Sequence, residues 1–376
     1  MLAIYVLLVA FFSHCYVSAG AMKPTYAPNI SQCPKLQPTK RPENIHNLRP
    51  ADIVAIAAIG DSISAGVAMI NSEEDCITSE SFKEYRGLSF DMGGDKGAVS
   101  LPNFISHYTP SGAVTGASKG VRQLPICEVQ LTLKLSQFRE SVDHFNAAIP
   151  GGTSDTMEKQ IEYLLPKIGK DSPLANEWKV ITIFIGQNDL SVSCYPSYMI
   201  ADYGQRVSKG LQLLKDNVDY AFINLVGLFH SENGLDATEK HKGYQKKFCD
   251  NPSFDIHEKE CYCCHLPLGI GNTVIAANVV AFNIALKNLA KQFEPYGSDA
   301  TFGVMYQPFD IDTKAIPYTI QSNIDGFHPN ILAHEFFAKL LWNQMFLPRG
   351  EKELKAEYDA ERPVYCPGEN DVFSTS

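Results

Sequence analysis

Residues 53–66 read IVAIAAIGDSISAG. The apolar run over 53–59 is what a strand buried on both sides of a sheet requires. Gly60-Asp61-Ser62 interrupts the run. A serine at the carboxyl end of a parallel strand lies where α/β folds place their sites. If a helix starts directly after it, backbone N–H groups stand nearby to hold an oxyanion. Taken alone, Gly-Asp-Ser is equally a turn followed by a helix N-cap.

Three further runs resemble the first: VITIFI over 180–185, YAFINLV over 220–226 and TFGVMY over 301–306. Helical periodicity predicts helices over 154–168, 197–218, 273–293 and 331–346. Asp155 and Glu158 have the spacing of a capping box, and Pro329 stands at a first-turn position for the last helix. Strands alternating with helices predict a mostly parallel sheet covered by helices on both faces. Segments 71–150 and 227–270 are less periodic and read as long insertions around that sheet. Residues 22–50 are Pro-rich and polar, and read as an extended arm outside the core. The expected layout is a leader over 1–21, the arm over 22–50, one domain over 51–350 and a tail over 351–376.

The chain has 376 residues, 45% of them hydrophobic, enough for one large domain. Lys+Arg number 32 and Asp+Glu 42, a net charge of -10. That balance argues against nucleic acid as a partner, since phosphates demand an excess of cations. The N-terminus, MLAIYVLLVAFFSHCYVSAGA, is apolar through about Phe12 and then small and polar. It reads as a signal peptide cleaved after Ala19 or Ala21, too short to span a bilayer. No second anchor is expected. Cys15 leaves with the leader. The nine remaining cysteines (33, 76, 127, 194, 249, 261, 263, 264 and 366) read as up to four disulfides and one spare thiol in an oxidising lumen. The cluster Cys261-Tyr-Cys263-Cys264-His265 lacks the paired spacers of a zinc site, so disulfides are preferred there too. Asn29-Ile-Ser31 is the one N-glycosylation sequon.

Two other motifs join Ser62. Gly186-Gln187-Asn188-Asp189 follows the 180–185 run, so the Asn188 amide should lie at the same sheet edge as Ser62. Asp325-Gly326-Phe327-His328-Pro329 precedes the last helix, and Asp and His at i and i+3 face each other across a turn. Each motif alone has a bland reading as turn or cap. Together they meet the needs of acyl transfer: a serine needs a base, the base needs an orienter, and the oxyanion needs donors.

These residues resemble the SGNH (GDSL) hydrolase family, and within it the animal phospholipase B branch, over about 52–348. The resemblance extends to Tyr85-Arg86-Gly87-Leu88-Ser89-Phe90, Gly93-Gly94-Asp95, Leu101-Pro102-Asn103-Phe104, Glu177-Trp178-Lys179 and Leu341-Trp342-Asn343-Gln344-Met345. It implies a flavodoxin-like three-layer α/β/α sandwich. It implies Ser62 as nucleophile, His328 as general base and Asp325 as its orienter. The oxyanion hole would combine the Ser62 N–H, Gly94 and the Asn188 side chain. Gln187 departs from the family, which usually has Gly there. No metal or cofactor is implied. The implied activity is release of acyl chains from phospholipids or lysophospholipids by a secreted or luminal (secretory or lysosomal) enzyme that meets a membrane or micelle transiently. Hydrolysis of other acyl or acetyl esters, and a catalytically silent lipid-binding protein, are the competing expectations.

Overall fold

The computed structural model describes residues 25–124, 138–195, 200–311 and 316–376. The expected leader and Cys127 lie outside these residues. The four apolar runs form four parallel strands: β1 (Ala55–Gly60), β2 (Lys179–Phe184), β3 (Ala221–Val226) and β4 (Phe302–Gln307), side by side in that order. Every residue of the first three is buried, which is why their sequences show no alternation. The outer edge of β1 is covered too. Ala58 N–H donates to Phe145 O (3.1 Å), Ala147 N–H to Ala58 O (2.9 Å) and Ile149 N–H to Gly60 O (3.1 Å). An irregular extended segment thus stands where a fifth strand would, and closes the edge.

The helices that frame the sheet and the site include α1 (Ser62–Ala65), α2 (Leu101–Tyr108), α3 (Met157–Ile168), α4 (Ile200–Asn217), α5 (Ile270–Gln292) and α6 (Ile331–Gln344). α3 and α5 both pack on α4, and α2 packs on α6. The result is the sheet with helical layers that the alternation predicts. α5 lies in Pro267–Gln292, the one stretch among the described residues long and apolar enough to cross a membrane. Its Ile275, Val279, Phe282 and Leu286 are buried in the core, while Ile270, Val280 and Ile284 remain exposed.

Two local expectations are corrected. The capping box at Asp155 and Glu158 does not form: 154–156 is a 3₁₀ turn, α3 begins at Met157, and no side chain caps it. Ser154 is taken instead by Asp189, which accepts from its N–H (2.8 Å) and its hydroxyl (2.6 Å). Pro329 lies outside α6. Asn330 is the N-cap, accepting from Leu332 N–H at 3.0 Å.

Residues 25–50 are not a free arm. Thr25–Ala27 pairs antiparallel with Val364–Cys366, and Cys33 is bonded to Cys366. Ile45 and Leu48 are fully buried, as is Phe373 from the tail. The prolines keep this segment extended, but three apolar side chains decide where it goes. The insertions are joined to each other by Cys76–Cys249 and by Phe82 stacked on Phe248. Arg86, wholly buried, is paired with Glu84 (2.6 Å) and donates to the carbonyls of Asn146 (3.1 Å) and Ala148 (2.8 Å). It thereby holds the covering segment against β1.

One side chain completes the end of β1. Gln160 of α3 accepts from Gly60 N–H (2.8 Å) and donates to Gly60 O (3.0 Å), reproducing a ladder pair one residue before the Asp61-Ser62 turn. Replacing it by Leu leaves a buried N–H unsatisfied. Gln160→Leu is expected to cost about 1–3 kcal/mol, read as a lowered urea midpoint with the slope unchanged.

Candidate active site

The site is assembled from turns at the carboxyl ends of β1 and β2 and from the turn before α6. At β1, a Cβ on Gly60 would fall 2.5 Å from Ser64 Oγ, so the strand turns here only with glycine. Asp61 caps the short helix, accepting from Ile63 N–H at 2.9 Å. Its second oxygen is buried with no partner among the described residues, and burial pushes the Asp61 carboxyl up to about 7. Ser62 follows as the first residue of α1, 8% exposed.

The turn before α6 brings in His328. His328 Nε2 lies 2.7 Å from Ser62 Oγ, and Nδ1 lies 2.7 Å from Asp325 Oδ2. The other carboxylate oxygen, Asp325 Oδ1, accepts from the backbone N–H groups of Phe327 (2.9 Å) and His328 (3.0 Å). The i, i+3 spacing read from the sequence is therefore a closed turn with the carboxylate inside it. Gly326 permits it with φ +66°. Burial alone would lower the His328 pKa, but the Asp325 charge and then Glu260 outweigh it and hold it above the usual 6.5. Burial likewise opposes the Asp325 charge, and His328 and the two N–H groups overcome it, leaving that carboxyl below its usual value.

At β2, Gly186 adopts φ +132°, where a Cβ would also strike Leu228 and Tyr203. This kink starts the short helix Gln187–Ser191. Asn188 donates one amide hydrogen to Gly152 O (3.0 Å), which leaves its second for another acceptor. Asp189 anchors the same 152–154 loop through Ser154 and pairs with Arg206 (3.3 Å). Gln187 is buried, and neither its oxygen nor its nitrogen has a partner among the described residues.

Gly94 stands elsewhere. Its N–H donates to Ser118 O at 2.9 Å, and its neighbour Gly93 pairs with Ser118 as well. The segment around it is bonded to the irregular 115–120 segment, so this donor is spent. The 149–153 loop instead links the ends of β1 and β2. Ile149 is bonded to Gly60 and Gly152 to Asn188. Between them Gly151, at φ +72°, has an N–H with no partner among the described residues. The signal was present as Pro150-Gly151-Gly152, but it reads as an ordinary turn.

Glu260 was not foreseen either. Its Oε2 lies 4.0 Å from His328 Nδ1, and burial is the main cause that pushes its carboxyl up to about 7. No spacing rule connects residue 260 to residue 328. The Cys261–Cys264 and Cys194–Cys263 disulfides tie its segment to the loop that follows Asn188. The cysteine cluster is thus bonded within the protein, as expected. Asn29 is exposed.

Comparison with known proteins gives this geometry a lineage. Membrane-associated phospholipase B1 of mouse is 28% identical over 88% of this chain and 22% of its own length, and the human protein 27% over 91% and 23%. The chain thus spans about a fifth of the curated relatives it matches. A crystal structure of an extracellular lipase from Streptomyces rimosus aligns with 74% of this chain and 93% of its own, at 12% identity and a TM-score of 0.31. The family model for GDSL-like lipase/acylhydrolase matches residues 56–341, from the first strand to the last helix, and the chain belongs to that family.

Proposed function

We propose that this protein is a secreted or luminal carboxylic ester hydrolase that releases acyl chains from phospholipids or lysophospholipids. The observation that carries the reading is the buried chain Ser62–His328–Asp325, with two contacts of 2.7 Å. The phospholipase B1 relatives support the substrate class, and four disulfides support an oxidising compartment. A leader over 1–21, a hydrolase domain over 51–350 and a glycan on exposed Asn29 complete the proposal.

Ser62 attacks the ester carbonyl while His328 Nε2 takes its proton. Asp325 holds the Nδ1–H and the positive charge that forms on the ring. The oxyanion is held by the N–H of Ser62, the N–H of Gly151 and the free amide hydrogen of Asn188. His328 then protonates the leaving alcohol, and water repeats the steps on the acyl-enzyme. Lipid is met along the exposed face of α5, at Ile270, Val280 and Ile284. The start of this helix packs on the Cys263 carbonyl so closely that a methyl on Gly271 would not fit, and Cys263 is bonded to Cys194 in the loop that follows Asn188.

Fatty-acid release from phosphatidylcholine and lysophosphatidylcholine tests the reading, with p-nitrophenyl esters of graded chain length alongside. Wild type should release long acyl chains; activity on acetyl esters alone would reject the lipid assignment. Ser62→Ala should lose nearly all turnover, on the order of 10^6 in kcat by analogy with serine proteases. Asn188→Ala should lose about 2.7–4 kcal/mol of transition-state stabilisation. Full activity in either variant would reject its role.

The pH profile follows from the charges around His328. The base works only as neutral imidazole, and a pKa held above 6.5 keeps the ring protonated to higher pH. The acid limb of kcat/KM on a soluble ester should therefore have its midpoint above 6.5. A midpoint at or below 6.5 would contradict the assigned environment.

Val280→Asp combined with Ile284→Asp should lower hydrolysis of vesicle phospholipid several-fold and leave a soluble short-chain ester unaffected. Equal loss on both substrates would place the lipid contact elsewhere.

A further inference from the structure

The triad has one carboxylate too many. His328 Nδ1 is bonded to Asp325 at 2.7 Å, yet Glu260 reaches to 4.0 Å of the same nitrogen. The two carboxylates and the ring nitrogen all lie within 4.8 Å of one another. The acyl-transfer mechanism uses Asp325 alone. Two acids converging on one imidazole repel each other, and such an arrangement is stable only when a positive charge or a shared proton lies between them.

Among the described residues no cation offsets them. Of the groups acting on His328, Asp325, Glu260 and Asp61 are all acids. His257, on the same short helix as Glu260, is buried near Gly326, and burial favours its neutral form. His334, on α6, is buried and held neutral in the same way. Lys247 is engaged by Asp255. The positive charge available to the two acids is therefore the imidazolium of His328.

The position of Glu260 is built into the chain. It ends the helix His257–Glu260, and the residue after it, Cys261, is bonded to Cys264. Cys263 is bonded to Cys194, three residues beyond the Gln187–Ser191 helix that carries Asn188. Two disulfides thus tie the segment of the acid to the loop that follows Asn188. Its carboxylate is largely covered, 17% exposed, and has no closer partner than His328 among the described residues.

We propose that Glu260 is a positioning residue of the reaction, a second carboxylate that stabilises the His328 imidazolium and shares the role of Asp325. The inference rests on the acyl-transfer reading above. When Ser62 gives its proton to Nε2, the new positive charge lies between two acids instead of beside one. The acid limb of the pH profile is then set jointly by Asp325 and Glu260. An Asp325 variant keeps part of its activity because a carboxylate remains in reach of Nδ1.

The test uses the full chain with its disulfides intact. The kcat/KM for a soluble ester and the rate of Ser62 labelling by a fluorophosphonate are followed against pH. The proteins are wild type, Glu260→Gln, Glu260→Asp, Asp325→Asn and the Glu260→Gln/Asp325→Asn double variant, each with its melting temperature. For Glu260→Gln the acid limb should move down by about one pH unit, the lower end of the effect of a nearby charge, with the melting temperature unchanged. Glu260→Asp should restore most of the limb. The double variant should be at least about tenfold slower than Asp325→Asn, a unit of pKa being a factor of ten. An acid limb of Glu260→Gln that superimposes on wild type, or a double variant no slower than Asp325→Asn, would overturn the proposal. If Glu260→Gln does not fold, Glu260→Ala reads the same limb through labelling alone. Absence of labelling at Ser62 in the wild type would remove the acyl-transfer reading itself, a failure distinct from any result on Glu260.

Discussion

The contact between Ser62 and His328 joins positions 266 residues apart in the chain, and it is made by turns that flank the sheet instead of by the sheet itself. A hydroxyl and an imidazole 2.7 Å apart tolerate little displacement before the proton transfer is lost. The surrounding architecture is legible as a means of limiting that displacement. Gly60 is bonded on both backbone groups by Gln160, just before Ser62. Asp325 is enclosed by the backbone of its own turn, just before His328. Arg86 and the covering segment hold the open edge of β1. Each clamp uses buried hydrogen bonds, which are worth most where water is excluded.

The electrostatic character of the site follows from the same burial. Asp61, Asp325 and Glu260 surround one histidine with few counter-charges, in a protein whose overall balance is already acidic. Such a pocket favours a protonated imidazole. In the proposed mechanism it would strengthen His328 as a base, stabilise the ion pair formed in the transition state and move the working range toward higher pH. The disulfides around Cys261–Cys264 give this arrangement a rigid rim.

Much of this was readable in the sequence. The four buried strands were found to within two residues, because burial on both faces leaves an unmistakable apolar run. The contact of Ser62 with His328 and of His328 with Asp325 was legible because each residue stands in a short motif at a strand or helix end, where local spacing carries the geometry. The failures share a cause. Gly94 was expected to donate to the oxyanion, but its N–H is engaged by Ser118, a pairing 24 residues away that no local pattern encodes. Glu260 carries no local signal, because only the path of the folded chain brings it to His328. Residues 25–50 were read as a linker from their prolines, yet Ile45, Leu48 and the Cys33–Cys366 bond bind them to the domain. Composition describes how a segment moves, and a few buried side chains decide where it rests.

The central claim is that Ser62 becomes covalently acylated through His328. Acid quenching during turnover of a slowly hydrolysed long-chain ester, followed by peptide mass mapping, tests it most directly. The expected result is an added acyl mass on the peptide that carries Ser62, absent in His328→Ala. An acyl group on another residue, or sustained turnover with no acylated peptide in the wild type, would contradict the account.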